Sequence, residues 1–154
     1  MDLSDLVKPD AILSSLKANS KKQALQALAE KAAALTGIEE REIFETLVQR
    51  EKLGSTGVGG GIAIPHGKLP RLERIFGLFA RAPKPIDFEA LDEQPVDLIF
   101  LLLAPEGAGA DHLKALARVA RLFREPGVAA KLRASADKSA LFAVLTEGTT
   151  HNAA

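Results

Sequence analysis

Eight consecutive residues, Val96-Asp97-Leu98-Ile99-Phe100-Leu101-Leu102-Leu103, are apolar except for Asp97. A strand with one wet face alternates apolar and polar residues; this one does not. Both of its faces must be buried, as at the centre of a sheet covered by helices. Helical patterns occur before and after it, so helices and strands interleave. The expected fold class is therefore α/β: a single-domain sandwich in which a mixed β-sheet is flanked by α-helices. The domain core is expected to span about residues 5–147 of the 154, with a flexible tail from Gly148.

Around that strand the chain punctuates itself. Residues 1–11 read as a leader, and Ile12 to Leu16 as a short strand or turn. Ser20 reads as an N-cap, Leu25, Leu28, Ala32 and Leu35 form an apolar stripe, and Gly37 supplies the stop. A second helix is expected over Glu39–Leu53, with Ile43, Phe44, Leu47 and Val48 inward and Gly54 ending it. Ile62-Ala63-Ile64 makes a short strand. Ile75–Ala82 makes another, closed by Pro83-Lys84-Pro85, and Pro85–Phe88 a brief third. Pro105–Ala110 is a loop. Asp111 then reads as the N-cap of a helix over His112–Glu125, with Leu113, Leu116, Ala120 and Phe123 on its buried side. Pro126-Gly127 breaks it, and helical segments follow at Val128–Ala134 and Asp137–Glu147.

Composition removes several classes of function. Lys+Arg and Asp+Glu balance at 20 each, so no global field favours nucleic acid or an anionic membrane. The longest apolar run, Leu98–Ala104, is far too short to cross a bilayer. The N-terminus carries acidic residues where a signal peptide carries basic ones. With no cysteine there is no disulfide and no thiolate metal site. These features lead to the expectation of a cytoplasmic protein without membrane insertion, nucleic acid or metal.

The chemistry concentrates in Gly54-Ser55-Thr56-Gly57-Val58-Gly59-Gly60-Gly61-Ile62-Ala63-Ile64-Pro65-His66-Gly67-Lys68. No Lys-Ser or Lys-Thr follows the glycines, and Ile62 stands where a dinucleotide fingerprint needs its third glycine, so neither common nucleotide motif applies. Successive amides of a glycine loop can form an anion-binding concavity. A histidine beside it is suited to nucleophilic or proton-carrying work near neutral pH. Pro65 restricts the backbone ahead of His66 and Gly67 lets the chain turn away, which presents the ring at the strand's end. A structural histidine closing a strand is the competing reading.

His112 falls at a helix start, where phosphate is readily held. Arg50, in the last turn of the second helix, either favours the helix C-terminus or clamps phosphate oxygens. Ser55 and Thr56 either donate hydroxyls to the same anion or stabilise the turn, and Gly57 and Gly67 complete the candidate phosphate-binding set. Lys114, Arg118 and Arg121 read as a solvated stripe. The histidines, one of them the tail residue His151, lack metal-ligand spacing.

The run Arg50-Glu51-Lys52-Leu53-Gly54-Ser55-Thr56 followed by Gly61-Ile62-Ala63-Ile64-Pro65-His66-Gly67-Lys68 resembles the active-site signature of the fructose/mannitol-type IIA proteins of the bacterial phosphoenolpyruvate phosphotransferase system. Asp87-Phe88-Glu89-Ala90-Leu91-Asp92, Pro95–Leu103 and Asp111-His112-Leu113-Lys114 extend the resemblance over nearly the whole chain. The Gly-Ser-Thr-Gly-x-Gly wording is most similar to the nitrogen-regulatory branch. The resemblance implies that His66 is phosphorylated at Nε2, that His112 and Arg50 contact the phosphoryl group, and that the fold is a mixed sheet flanked by helices. It also implies a phosphocarrier protein, NPr or HPr, as donor, and regulatory targets such as potassium-transport proteins or sensor kinases.

A phosphoryl group already activated on a histidine needs no metal or nucleotide cofactor here, because such transfer depends on alignment and electrostatics. The donor is expected to dock on an apolar rim around His66. A sugar-specific IIA subunit that passes phosphate to a IIB component, and a binding module that is never phosphorylated, remain alternatives.

Overall fold

In a computed structural model, residues 2–153 are described, with side chains described up to Glu147. The chain runs α1 (Leu3–Leu6), β1 (Val7–Leu13), α2 (Lys21–Thr36), α3 (Glu40–Lys52), β2 (Gly57–Gly59), β3 (Ile62–Ala63), β4 (His66–Leu69), β5 (Phe76–Ile86) and β6 (Val96–Pro105). It continues through α4 (Ala110–Arg124), α5 (Val128–Ala134) and α6 (Lys138–Ala153). The strands form one sheet in the order β1-β5-β6-β3-β2, with β4 also on β6. β6 lies parallel to β3 and β4 and antiparallel to β5, so the sheet is mixed. The expected α/β architecture is the one observed.

The apolar run lies where its pattern requires. Every residue from Leu98 to Ala104 is buried, between β5 on one side and β3 and β4 on the other. Helices α2 and α3 pack on one another and on β1, β4 and β5, while α4, α5 and α6 pack together and on β1, β5 and β6. Ser20 caps α2 by accepting the Gln23 amide at 3.1 Å, and Gly37 ends it with φ 78°. That positive φ is one a side chain disfavours.

Four expectations fail, each for a physical reason. The segment expected as a leader is instead built into the fold from Leu3 on: α1 and the edge strand β1 bury Leu3, Leu6 and Val7. β5 does not stop at Pro83 but continues to Ile86. The prolines fall in the stretch between Arg81 and Ile86 where its register with β6 shifts, and there a missing N–H breaks no ladder bond. Gly109, not Asp111, precedes α4 as N-cap, after a 3-10 turn at Glu106–Ala108. The face of α4 is also different: His112, Ala115, Arg118, Val119, Leu122 and Phe123 are buried, while Leu113 is exposed. Arg118 is therefore not part of a solvated stripe. The expected frayed end from Gly148, with His151, lies outside the residues whose side chains are described.

Candidate functional site

His66 does not end the strand of Ile62-Ala63; it opens β4. Both segments run parallel along β6 with one continuous offset, Ala63 opposite Ile99 and His66 opposite Leu102. They are in effect a single strand interrupted at Ile64-Pro65. Proline has no N–H to give the ladder, but its carbonyl still accepts the Leu102 amide at 2.9 Å. The interruption frees the Ile64 carbonyl, which accepts from the Nδ1 of His66 at 2.9 Å.

Helix α3 supplies the opposite wall. Arg50 donates from Nε to His66 Nε2 at 3.2 Å and from Nη1 to the Gly54 carbonyl at 2.8 Å. One turn earlier on the same helix face, Thr46 abuts Gly67: a Cβ at Gly67 would lie 2.6 Å from Thr46 Cγ2. Gly67 thus lets α3 approach β4 closely enough for Arg50 to reach the ring.

The two bonds on His66 define its tautomer. An arginine can only donate, so Nε2 must carry a lone pair and Nδ1 the proton, which goes to Ile64. The ring is partly exposed, so Nε2 is the available nucleophile. Burial lowers the His66 pKa from its ordinary 6.5; the Ile64 carbonyl raises it, Arg50 lowers it and Glu51 raises it, with a net downward result. The ring is neutral at physiological pH.

His112 comes from the first turn of α4, with ring centroid 5.6 Å from that of His66 and the planes 52° apart. It is 7% exposed, and its Nδ1 has no hydrogen-bond partner among the described residues. Its pKa is also lowered, first by burial and then by His66 and Lys68. Arg50, His66 and His112, far apart in sequence, therefore meet at one point.

The loop residues are placed differently. Ser55 donates its hydroxyl to the Phe88 carbonyl at 2.7 Å and accepts the Gly57 amide at 3.0 Å. Thr56 is buried and gives both its amide, at 3.1 Å, and its hydroxyl to Glu51. The Gly60 amide goes to Asp92 at 2.9 Å. A Cβ at Gly57 would lie 2.8 Å from that of Ala90, so this glycine permits close packing of the loop. The hydroxyls and these amides are thus engaged with acceptors of the chain itself.

Glu51 was not singled out from the sequence, although it is adjacent to Arg50. Its partner Lys21 lies on another helix, at 2.8 Å, and no local spacing foretells that pair. The exposed apolar side chains Leu53 (85%), Leu91 (78%), Leu113 (66%) and Val58 (54%) all come from segments that build the site. Leu53 follows Arg50 by one turn, Leu113 follows His112, and Leu91 bonds its amide to the Gly57 carbonyl at 3.2 Å. No helix among the described residues is long and apolar enough to cross a membrane.

The chain is similar over most of its length to known proteins. Residues 5–148 match the family described as "Phosphoenolpyruvate-dependent sugar phosphotransferase system, EIIA 2". The chain is 70% identical over 145 residues to a nitrogen regulatory protein of Bradyrhizobium diazoefficiens, covering 94% of this chain and 95% of that one. It is 39% identical over 156 residues to a nitrogen regulatory protein of Escherichia coli, covering 99% and 96%. Among solved structures, nitrogen regulatory protein IIA-Ntr from Neisseria meningitidis superposes with TM-score 0.88 at 33% identity, over 94% of this chain and 99% of that one.

Proposed function

The chain belongs to the EIIA type 2 family of the phosphoenolpyruvate-dependent sugar phosphotransferase system, and on that premise we propose that His66 is its phosphoryl-carrying residue. The observation that carries this reading is the pair of bonds on one ring. The Ile64 carbonyl holds the proton on Nδ1, and Nε2 keeps a lone pair beside a guanidinium.

In the proposed step, Nε2 forms a bond to phosphorus as the P–N bond of a phosphohistidine on the donor protein breaks. The electron pair of the broken bond stays with the donor's imidazole, which is protonated at its other nitrogen and so leaves neutral, its positive charge passing to the His66 ring. The positive charge gained by the His66 ring is met at Nδ1–H by the Ile64 carbonyl. Arg50 turns from Nε2 to the phosphoryl oxygens, where charge-assisted bonds are strong. His112 lines the same space. Catalysis of this kind is alignment plus electrostatics, and a neutral ring at pH 7 satisfies its first condition. Ser55, Thr56 and Gly57 act by bracing the loop, and Gly67 by admitting α3.

The donor is a small phosphocarrier of the NPr or HPr type, docking on Leu53, Val58, Leu91 and Leu113. Likeness to nitrogen regulatory proteins over nearly the whole chain supports a regulatory output, in which the phosphorylation state governs other proteins. Potassium-transport proteins and sensor kinases are the targets in this reading. The test is a reconstituted relay of phosphoenolpyruvate, enzyme I and each carrier in turn. One acid-labile phosphoryl group should appear and be lost in His66→Ala; a label that persists in that variant would refute the assignment.

A further inference from the structure

We propose that Glu51 is a positioning residue for His66, acting through Thr56 and Ile64 on the Nδ1 side of the ring; this rests on the phosphoryl-transfer reading above. Glu51 does not touch the imidazole. Its side chain is only 6% exposed, and a carboxylate so buried is costly unless fully partnered. Here the partners are complete: Lys21 Nζ at 2.8 Å, the Thr56 amide at 3.1 Å and the Thr56 hydroxyl.

What those bonds achieve is a fixed path to the nucleophile. Held at its amide and hydroxyl, Thr56 presents its carbonyl to the Ile64 amide at 3.0 Å. Ile64 then presents its own carbonyl to His66 Nδ1 at 2.9 Å. The intervening Pro65 has φ locked by its ring, so little freedom remains between Ile64 and His66. Lys21 begins α2, and its ammonium also lies 5.4 Å from the Phe88 ring centroid. The first turn of α2 is thereby tied through Glu51 to the segment that sets the tautomer.

The charge acts in the same direction as the bonds. Around the two imidazoles stand Arg50 and Glu51 from α3 and Lys68 from β4. Glu51 is the one carboxylate acting on His66 in that set, opposed by the Arg50 guanidinium. Its charge favours positive charge on the ring, and so supports the charge that the imidazole gains when Nε2 takes the phosphoryl group. An ion pair that merely pinned α2 to α3 would stabilise the fold without biasing which ring nitrogen carries the proton.

The experiment is nitrogen-15 NMR of the imidazoles in the unphosphorylated protein, titrated with pH, in wild type, Glu51→Gln and Lys21→Met. Glu51→Gln should lower the His66 pKa further and increase the share of ring carrying its proton on Nε2. Lys21→Met takes away the ammonium that holds Glu51 in place and should likewise increase the Nε2–H share of the ring. Carrier-dependent phosphorylation of Glu51→Gln should slow on the order of tenfold, the scale of one hydrogen bond to a charged group, with the KM for the carrier unchanged.

His66 tautomer proportions at wild-type values in both variants overturn the proposal. If Glu51→Gln does not fold, Lys21→Met decides alone: a raised Nε2–H share sustains the role, and an unchanged one ends it. A wild-type protein that accepts no phosphoryl group refutes the proposed function, while the titrations still decide on Glu51.

Discussion

Arg50 Nε donates to His66 Nε2 across 3.2 Å, so the guanidinium covers the same lone pair that the proposed transfer uses. Its second anchor, Nη1 to the Gly54 carbonyl at 2.8 Å, gives it a pivot at the rim. Arg50 thus holds the nucleophile when no donor is docked, and is placed to pair with the phosphoryl oxygens once Nε2 is engaged. A guanidinium suits both tasks, because it stays charged and offers several donors in one plane.

Arg50→Met separates those tasks. Removing the guanidinium takes away a positive charge that lowers the His66 pKa, so the ring should titrate higher than in wild type. Phosphoryl acceptance should nonetheless slow about ten- to a hundredfold, as expected for losing a charged donor in the transition state. NMR titration and rapid-quench kinetics measure the two effects. A lowered pKa or an unchanged rate contradicts the assignment.

The pH dependence has a definite sign. Both His66 and His112 have pKa values below the ordinary 6.5. Acceptance by His66 should therefore stay level through that pH and decline only in more acid solution. Stability follows by linkage: as pH falls below 6.5, the unfolded chain binds protons before the folded one, so unfolding becomes easier. The contribution is fully present above 6.5 and is lost as pH falls toward the folded-state values. A His66→Ala/His112→Ala variant should show a flatter dependence of Tm between pH 7 and 5 than wild type; equal slopes contradict the shifts.

Gly67→Ala tests the contact between α3 and β4. The added Cβ meets Thr46 Cγ2 at 2.6 Å, which should cost about 1–3 kcal/mol, as overpacking does, and should slow transfer by moving Arg50 from the ring. Thr46→Ser deletes that methyl and keeps the hydroxyl that donates to the Glu42 carbonyl at 2.9 Å. In the Gly67→Ala background it should restore most of both losses. Urea unfolding and relay kinetics on the double variant check this; no recovery places the strain elsewhere.

Leu53→Glu and Leu113→Glu probe the docking rim. Both side chains are largely exposed, so stability should change by no more than about 0.5 kcal/mol. Affinity for the carrier should fall about tenfold or more, as when an apolar anchor of an interface is lost. Calorimetric titration with the carrier reads this directly. Wild-type affinity in both variants excludes this face as the dock.

The parts that were legible in the sequence are those where local chemistry and tertiary demand agree. β6 announces itself because burial on two faces leaves no room for polar alternation. Ser20 and Gly37 mark α2 because each end of a helix makes its own hydrogen-bonding demand. The misreadings share an opposite cause. Leu3, Leu6 and Val7 lie in a four-residue helix and at the start of an edge strand, too short a stretch of either for their burial to show a period. On α4 the buried face carries His112 and Arg118 while Leu113 points out. A helix that serves a site inverts the usual hydrophobic pattern. Arg50, His66 and His112 were recognisable from a signature, whereas Lys21 and Glu51 meet only because α2 packs on α3.

The central claim is that the Ile64 carbonyl reserves Nδ1 of His66 for a proton and so leaves Nε2 to take the phosphoryl group. Phosphorus-31 and nitrogen-15 NMR of the phosphorylated protein, labelled at histidine, identifies which nitrogen bears phosphorus. The account predicts a single phosphoryl group on Nε2 of His66, with Nδ1 still protonated and bonded. Phosphorus on Nδ1, or on His112 with His66 unmodified, contradicts it.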